Sequence, residues 1–152
     1  KFTRNSVIAF DFHEALSFEG ETGPYVQYAA VRAGNILRKY AERGEALPDF
    51  GAALTPEVLR RWFENETLWQ LLLLASKSGS VVERAIASGE PAHVAKYAFQ
   101  LAQAFNNFYH EQPVISEEDQ ERRAVLLWLT KYVREQLLAT LSVLGIEQPE
   151  YM

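Results

Sequence analysis

The sequence contains no cysteine and little histidine, and both shortages exclude kinds of chemistry. Without cysteine there is neither a disulfide nor a thiolate nucleophile, which fits a reducing compartment. The three histidines, His13, His93 and His110, are scattered, and none is followed by a second ligand three or four residues later. A metal site is therefore not expected, and the histidines are interpreted as structural or surface residues.

Long apolar runs are also missing. The longest, Leu71 to Ala75, is far shorter than the roughly 20 residues of a membrane-spanning helix. Lys1 to Asn5 is not followed by the apolar segment of a signal peptide. We expect no membrane partner. Because the chain begins at Lys1 without a methionine, we expect it to be the C-terminal part of a longer protein.

Catalytic motifs and an excess of positive charge are likewise absent. There is no G-x-S-x-G elbow, and residues 76–80 lack the spacing of a phosphate-binding loop and are predicted to form a turn. The Glu117 and Glu118 pair is interpreted as a solvated helix start, so no catalytic residue is expected. The net charge of −5 argues against a general nucleic-acid binder, and DNA is not an expected partner.

Helical periodicity is what the sequence does contain. The composition, 48% hydrophobic and 23% charged, is that of an ordinary globular chain. Apolar residues recur at helical spacing, and no strand pattern is found. Helices are predicted at residues 24–43, 56–64, 67–77, 81–87, 91–109 and 116–144, with Ser116 as the cap of the last one. The sequence therefore predicts an all-α helical bundle with short connections.

The first long helix carries two different stripes. Small and apolar residues suit one stripe to close packing: Val26, Ala30, Ala33, Leu37 and Tyr40. The other stripe combines rings with hydrogen-bond donors and cations: Tyr25, Tyr28, Arg32, Asn35 and Lys39. Two tyrosines one turn apart, followed by an arginine, suit a surface that stacks unpaired bases and holds phosphates.

These residues also have ordinary structural interpretations. Tyr28 could be a buried ring with a satisfied hydroxyl, and Arg32 could pair with a carboxylate of its own domain. Tyr109, at a helix end, fits the core as well as a groove. Trp62 and Trp69 are interpreted as packing residues rather than base-stacking residues.

The segment FDFHEALSFEGETGPYVQYAAVRAGNILRK resembles the start of the C-terminal, DALR-type anticodon-binding domain of class I arginyl-tRNA synthetases. The family's G-x-T-x-P-Y-x-Q-Y segment and following arginine match Gly20, Thr22, Pro24, Tyr25, Gln27, Tyr28 and Arg32. AKYAFQLAQAFNNFYHEQPVI and LSVLGIEQPEYM resemble later family segments, so the likeness covers nearly the whole chain. Ala30 departs from the family pattern, Pro113 replaces an aromatic that contacts RNA in some relatives, and RRAVLLWL lacks the Asp-Ala-Leu-Arg tetrad.

The resemblance implies a helical bundle of the class I aminoacyl-tRNA synthetase anticodon-binding type at residues 18–152. Residues 1–17 would be a tether, with a short apolar anchor packed on the bundle and a short helix at residues 12–17, leading in from a missing catalytic portion. The implied function is recognition of the anticodon loop of arginine tRNA in the cytoplasm, in support of ATP-dependent arginylation by that portion. The implied tRNA-binding residues are Tyr25, Tyr28, Arg32, Tyr109 and Met152.

The same resemblance sets the expected cofactors and partners. The chain lacks segments of the H-x-G-H and K-M-S-K-S type, so we expect it to be inactive alone, with no cofactor of its own. ATP and magnesium are expected only in the catalytic portion, which is also an expected partner. A helical protein–protein interaction or scaffold module is the alternative function, because bundles host many functions.

Overall fold

A computed structural model describes residues 6–9, 11–15 and 20–152, and within these ranges it contains helices and no strands. The helices are α1 (Phe12–Ala15), α2 (Gly23–Glu42), α3 (Phe50–Ala53), α4 (Pro56–Trp62), α5 (Glu66–Ala75), α6 (Ser78–Ser88), α7 (Ala92–Glu111) and α8 (Gln120–Val143). The predicted all-α architecture is confirmed. None of these helices, over the described ranges, combines the length and apolarity needed to cross a bilayer.

Helices α2, α7 and α8 form the centre of the bundle. Helix α2 packs against both α7 and α8, and α5 and α6 lie against α7. Ala30 and Ala33 of α2 are fully buried, and small side chains of this kind let helices approach closely. At Gly34 there is little room for a side chain, because an added Cβ would lie 3.1 Å from Nε of Arg134 on α8. The predicted small-residue stripe therefore faces the core.

Several helix boundaries differ from the sequence prediction. Helix α8 is capped by Asp119 and not by Ser116, since Oδ1 of Asp119 accepts a hydrogen bond from the backbone N–H of Arg122 at 2.9 Å. The predicted turn at residues 76–80 is partly wrong, because α6 already begins at Ser78. Between the helices predicted at residues 24–43 and 56–64, where no helix is predicted, the structure contains the short helix α3. Serine and aspartate suit both caps and turns, which is why the pattern alone misplaces these boundaries.

The leader before α2 is described only in part. Helix α1 accounts for the first residues of the helix predicted at 12–17, whereas Phe10 and residues 16–17 lie outside the described residues. The expected packing of the apolar anchor on the bundle is wrong at Val7 and Ile8, which are both exposed.

Candidate nucleic-acid interface

A guanidinium group held by two helices is the centre of the candidate site. Arg32 of α2 lies over the ring of Tyr28, one turn earlier, with Cζ 4.6 Å from the ring centroid. The same Cζ lies 5.0 Å from the ring centroid of Tyr109 on α7. Arg32 also donates hydrogen bonds from Nη2 to the Tyr28 hydroxyl at 3.2 Å and from Nη1 to Oδ1 of Asn106 at 2.7 Å. Both rings and one amide therefore fix the position of this cation.

These side chains line a groove with a volume of about 220 Å³, which we call the Arg32 groove. Its lining residues are Tyr28, Val31, Arg32, Asn35, Ile36, Lys39, Tyr109, Ile115 and Met152. Two of these side chains are cations, Arg32 and Lys39, and none of the lining side chains in the described part of the chain is a carboxylate. The groove is thus locally positive and aromatic, although the whole chain carries a net charge of −5.

The groove is open to solvent. Tyr28 is 43% exposed, Tyr109 is 39% exposed and Met152 is 48% exposed. The buried alternatives for the two tyrosines are therefore wrong. The carboxylate alternative for Arg32 is also wrong among the described residues, since its hydrogen-bond acceptors are the neutral amide oxygen of Asn106 and the Tyr28 hydroxyl. An amide accepts the hydrogen bond without cancelling the positive charge.

The α7–α8 loop and the segment after α8 complete the walls of the groove, and side chains of α2 and Arg43 contact both. Arg43, near the end of α2, donates a hydrogen bond from Nη1 to the carbonyl oxygen of Ile115 at 2.8 Å, which holds the α7–α8 loop beside the groove. Gln27 donates from Nε2 to the carbonyl oxygen of Glu147 at 2.6 Å. Further along α2, Cζ of Arg38 lies 5.6 Å from the ring centroid of Tyr151. The segment after α8 therefore runs along α2 and brings Met152 into the groove.

The structure brings together four of the five predicted tRNA-binding residues, and Tyr25 is not among them. The Tyr25 ring is partly buried and packs against Phe99 of α7, with 5.2 Å between ring centroids. Trp62 behaves as predicted for a packing residue, because it is partly buried and its Nε1 donates to Oε1 of Glu121 at 2.8 Å. Trp69 does not lie in the core, since this side chain is 47% exposed on α5, and it does not line the Arg32 groove.

Asn106 is a site residue that sequence reasoning missed. It lies on the buried face of α7 between Phe105 and Phe108 and is only 8% exposed. The signal was available in part, because an amide on an apolar helical stripe needs a hydrogen-bond partner. The sequence does not say which partner, because Arg32 is 74 residues away. Within the described ranges, no group of three or more histidine, aspartate or glutamate residues converges to hold a metal ion.

Comparison with known proteins gives a consistent result. The model of the DALR anticodon binding domain family matches residues 26–152. The chain is 40% identical over 152 residues to the arginine–tRNA ligase of Pyrococcus abyssi, covering all of this chain and 23% of that protein. It is 37% identical over 153 residues to the arginine–tRNA ligase of Lactococcus lactis subsp. lactis, again over the whole chain and 25% of the relative.

A solved structure agrees with the sequence relatives. The Thermus thermophilus arginyl-tRNA synthetase superposes with a TM-score of 0.75 at 33% sequence identity, covering 94% of this chain and 23% of that one. The predicted type of helical bundle is thereby confirmed. The chain spans about a quarter of the length of the proteins that it resembles. The match gives no support to the scaffold alternative.

Proposed function

The chain belongs to the DALR anticodon binding domain family, and on this basis we propose that it binds the anticodon loop of arginine tRNA within an arginine–tRNA ligase. The relatives are arginine–tRNA ligases, and this chain spans only 23–25% of their length. Arginylation is therefore assigned to a catalytic portion outside this chain. That portion is also the proposed carrier of ATP and magnesium, and the proposed compartment is the cytoplasm.

The observation that carries this proposal is the exposed arrangement of Tyr28, Arg32 and Tyr109. Each ring turns toward the guanidinium, and each still has more than a third of its surface in water. Bases in a loop are unpaired and can stack on such rings at about 1–3 kcal/mol per base. The guanidinium, with hydrogen-bond donors beyond those used by Asn106 and Tyr28, can then donate to a phosphate or to the edge of a base.

The charge distribution favours a short unpaired segment over a duplex as the ligand. Arg32 and Lys39 line the groove, whereas Arg38 pairs with Glu42 and Arg43 holds the α7–α8 loop. A duplex-binding surface neutralises many phosphates along two strands and is usually basic overall. The acidic net charge of this chain and its small cationic groove suit a few nucleotides.

The proposal is tested by titrating the chain with arginine tRNA and with versions that carry an altered anticodon. We expect tighter binding of the unaltered tRNA. Tyr28→Ala is expected to weaken it by roughly 5- to 150-fold, the equivalent of losing one stacked base at about 1–3 kcal/mol. Fluorescence anisotropy of labelled tRNA measures both effects.

A matched control is available on another helix. Trp69→Ala removes an aromatic ring that is as exposed as Tyr28 but lies on α5, outside the groove. We expect this variant to bind arginine tRNA like the wild type. Equal binding of all tRNAs, or equal losses in Tyr28→Ala and Trp69→Ala, contradicts the proposal.

A further inference from the structure

We propose that Asn106 is a positioning residue for RNA recognition, because it fixes the guanidinium of Arg32 in the Arg32 groove. This inference deepens the proposed function and rests on it for its RNA part. Asn106 does not line the groove, so its effect on RNA acts through Arg32. The link between them is the hydrogen bond of 2.7 Å from Nη1 of Arg32 to Oδ1 of Asn106.

The Arg32 side chain binds RNA more tightly if it is already held in one conformation. An arginine side chain has several rotatable bonds and loses about 1.5–2 kcal/mol of rotamer entropy when it is ordered. If the Arg32 side chain were mobile in the RNA-free protein, this rotamer entropy would be lost when RNA binds, and the complex would be weaker. A guanidinium that is already in place avoids this loss. Asn106 is rigid enough for this purpose, because it lies within α7, before the last turn of the helix, and is buried.

The hydrogen bond to Asn106 leaves other N–H donors of Arg32 available to a ligand. The guanidinium has five N–H donors, and Arg32 donates one hydrogen bond from Nη1 to Asn106 and one from Nη2 to Tyr28. The rings of Tyr28 and Tyr109 lie near the same group. The donors that remain lie in the guanidinium plane, so they suit acceptor oxygens or nitrogens that approach in that plane. An unpaired base edge and a phosphate both present such acceptors.

An amide suits position 106 better than a carboxylate does. A carboxylate at residue 106 would accept the same hydrogen bond, but its negative charge would offset the charge of Arg32 and repel phosphates. It would also be an ionised group at a buried site, which is unfavourable. Asparagine holds the cation and preserves the full charge for the ligand.

The chain offers a matched control in the next residue. Asn107 is on the same helix turn but is exposed and lines a separate groove between α5 and α7. Asn106→Ala and Asn107→Ala therefore make the same chemical change at a buried and at an exposed position of α7. Alanine favours helix, so both variants are expected to fold. Asn106→Ser replaces Asn106→Ala should the latter fail to fold, since the shorter hydroxyl does not reach Nη1 of Arg32.

The first measurement needs no RNA. Nitrogen-15 NMR of the arginine side chains reports whether the guanidinium of Arg32 rotates freely. We expect restricted rotation in the wild type and in Asn107→Ala, and faster rotation in Asn106→Ala. Unchanged rotation of Arg32 in Asn106→Ala overturns the proposal, whatever the chain binds.

The second measurement is a double-variant cycle with arginine tRNA. Asn106→Ala is expected to weaken binding roughly tenfold, the order expected for the loss of a charge-assisted hydrogen bond. In the background of Arg32→Ala, the same change is expected to have no further effect on affinity. A loss of similar size in both backgrounds overturns the positioning role and indicates a general structural one.

The two proposals fail in distinguishable ways. If the wild type does not prefer arginine tRNA, the proposed function fails, while the NMR measurement still decides whether Asn106 fixes Arg32. If the wild type binds and Tyr28→Ala weakens binding but Asn106→Ala does not, the proposed function stands and the positioning role is overturned.

Discussion

Tyr25 packs its ring against Phe99 with 5.2 Å between the ring centroids, although Tyr28, one helical turn later, faces the open Arg32 groove. The two tyrosines therefore have different environments despite their shared motif. Tyr25 joins α2 to α7, whereas Tyr28 lies beside Arg32. This difference separates a contribution to stability from a contribution to binding.

The first prediction concerns these two tyrosines. Tyr25→Ala is expected to lower the free energy of unfolding by about 2–4 kcal/mol, because a packed aromatic ring is lost. Tyr28→Ala is expected to change it by less than about 1 kcal/mol, since Tyr28 is 43% exposed. Urea unfolding followed by circular dichroism measures both values. Equal destabilisation by the two variants contradicts this assignment.

The second prediction concerns Lys39, which lines the Arg32 groove and is exposed. Lys39→Ala is expected to weaken RNA binding at low salt and to lower the slope of log K against log salt by about 0.7, the value for one phosphate contact on a single strand. Anisotropy titrations over a series of salt concentrations give the slope. Lys77→Ala, which removes an exposed lysine outside this groove, is the control and is expected to leave the slope unchanged.

The third prediction concerns the start of α8. Asp119→Ala is expected to destabilise the protein by about 1 kcal/mol, because the side-chain acceptor for the backbone N–H of Arg122 is lost. Ser116→Ala is expected to change stability by less than about 0.5 kcal/mol, since this exposed residue lies outside the helix. Thermal unfolding of the two variants is compared under one condition. A larger loss of stability in Ser116→Ala than in Asp119→Ala would contradict this assignment and identify Ser116 as the cap.

The fourth prediction concerns pH and Tyr97. Its hydroxyl donates to the carbonyl oxygens of Leu74 and Ala75, and burial raises its pKa from 10.0 to about 12. The folded protein therefore holds this proton more tightly than the unfolded chain does. The associated stability is fully present below pH 10 and is lost as the pH rises through about 12, by on the order of 2–3 kcal/mol.

Tyr97→Phe isolates this contribution. At neutral pH the variant is expected to be less stable than the wild type by about 1 kcal/mol, because the hydroxyl's hydrogen bonds are lost. The difference is expected to shrink and then reverse as the pH passes 10, which urea unfolding at increasing pH measures. Tyr151→Phe removes an exposed hydroxyl and is the control. A constant difference between wild type and Tyr97→Phe over this range contradicts the prediction.

Local pattern was sufficient for the long helices. The prediction of residues 24–43 for the first long helix agrees with α2 at Gly23–Glu42 to within one residue. Its start depends on Thr22 and Pro24, and its core face on the recurrence of Val26, Ala30 and Ala33. These signals are contained in neighbouring residues, so no knowledge of the remaining chain is needed. The same holds for the family motif, which lies within a single continuous segment.

The site required contacts between distant parts of the chain. Tyr25 and Tyr28 lie only about 60° apart around α2, and the position of Phe99 on α7 decides which ring is covered. The bond between Arg32 and Asn106 likewise joins residues 74 positions apart. Amino-acid order alone determined the long helices, their apolar faces and the family of this chain. The packing of α7 against α2 decided which rings stay in water and which group holds the cation, because burial depends on the neighbours that the folded chain supplies.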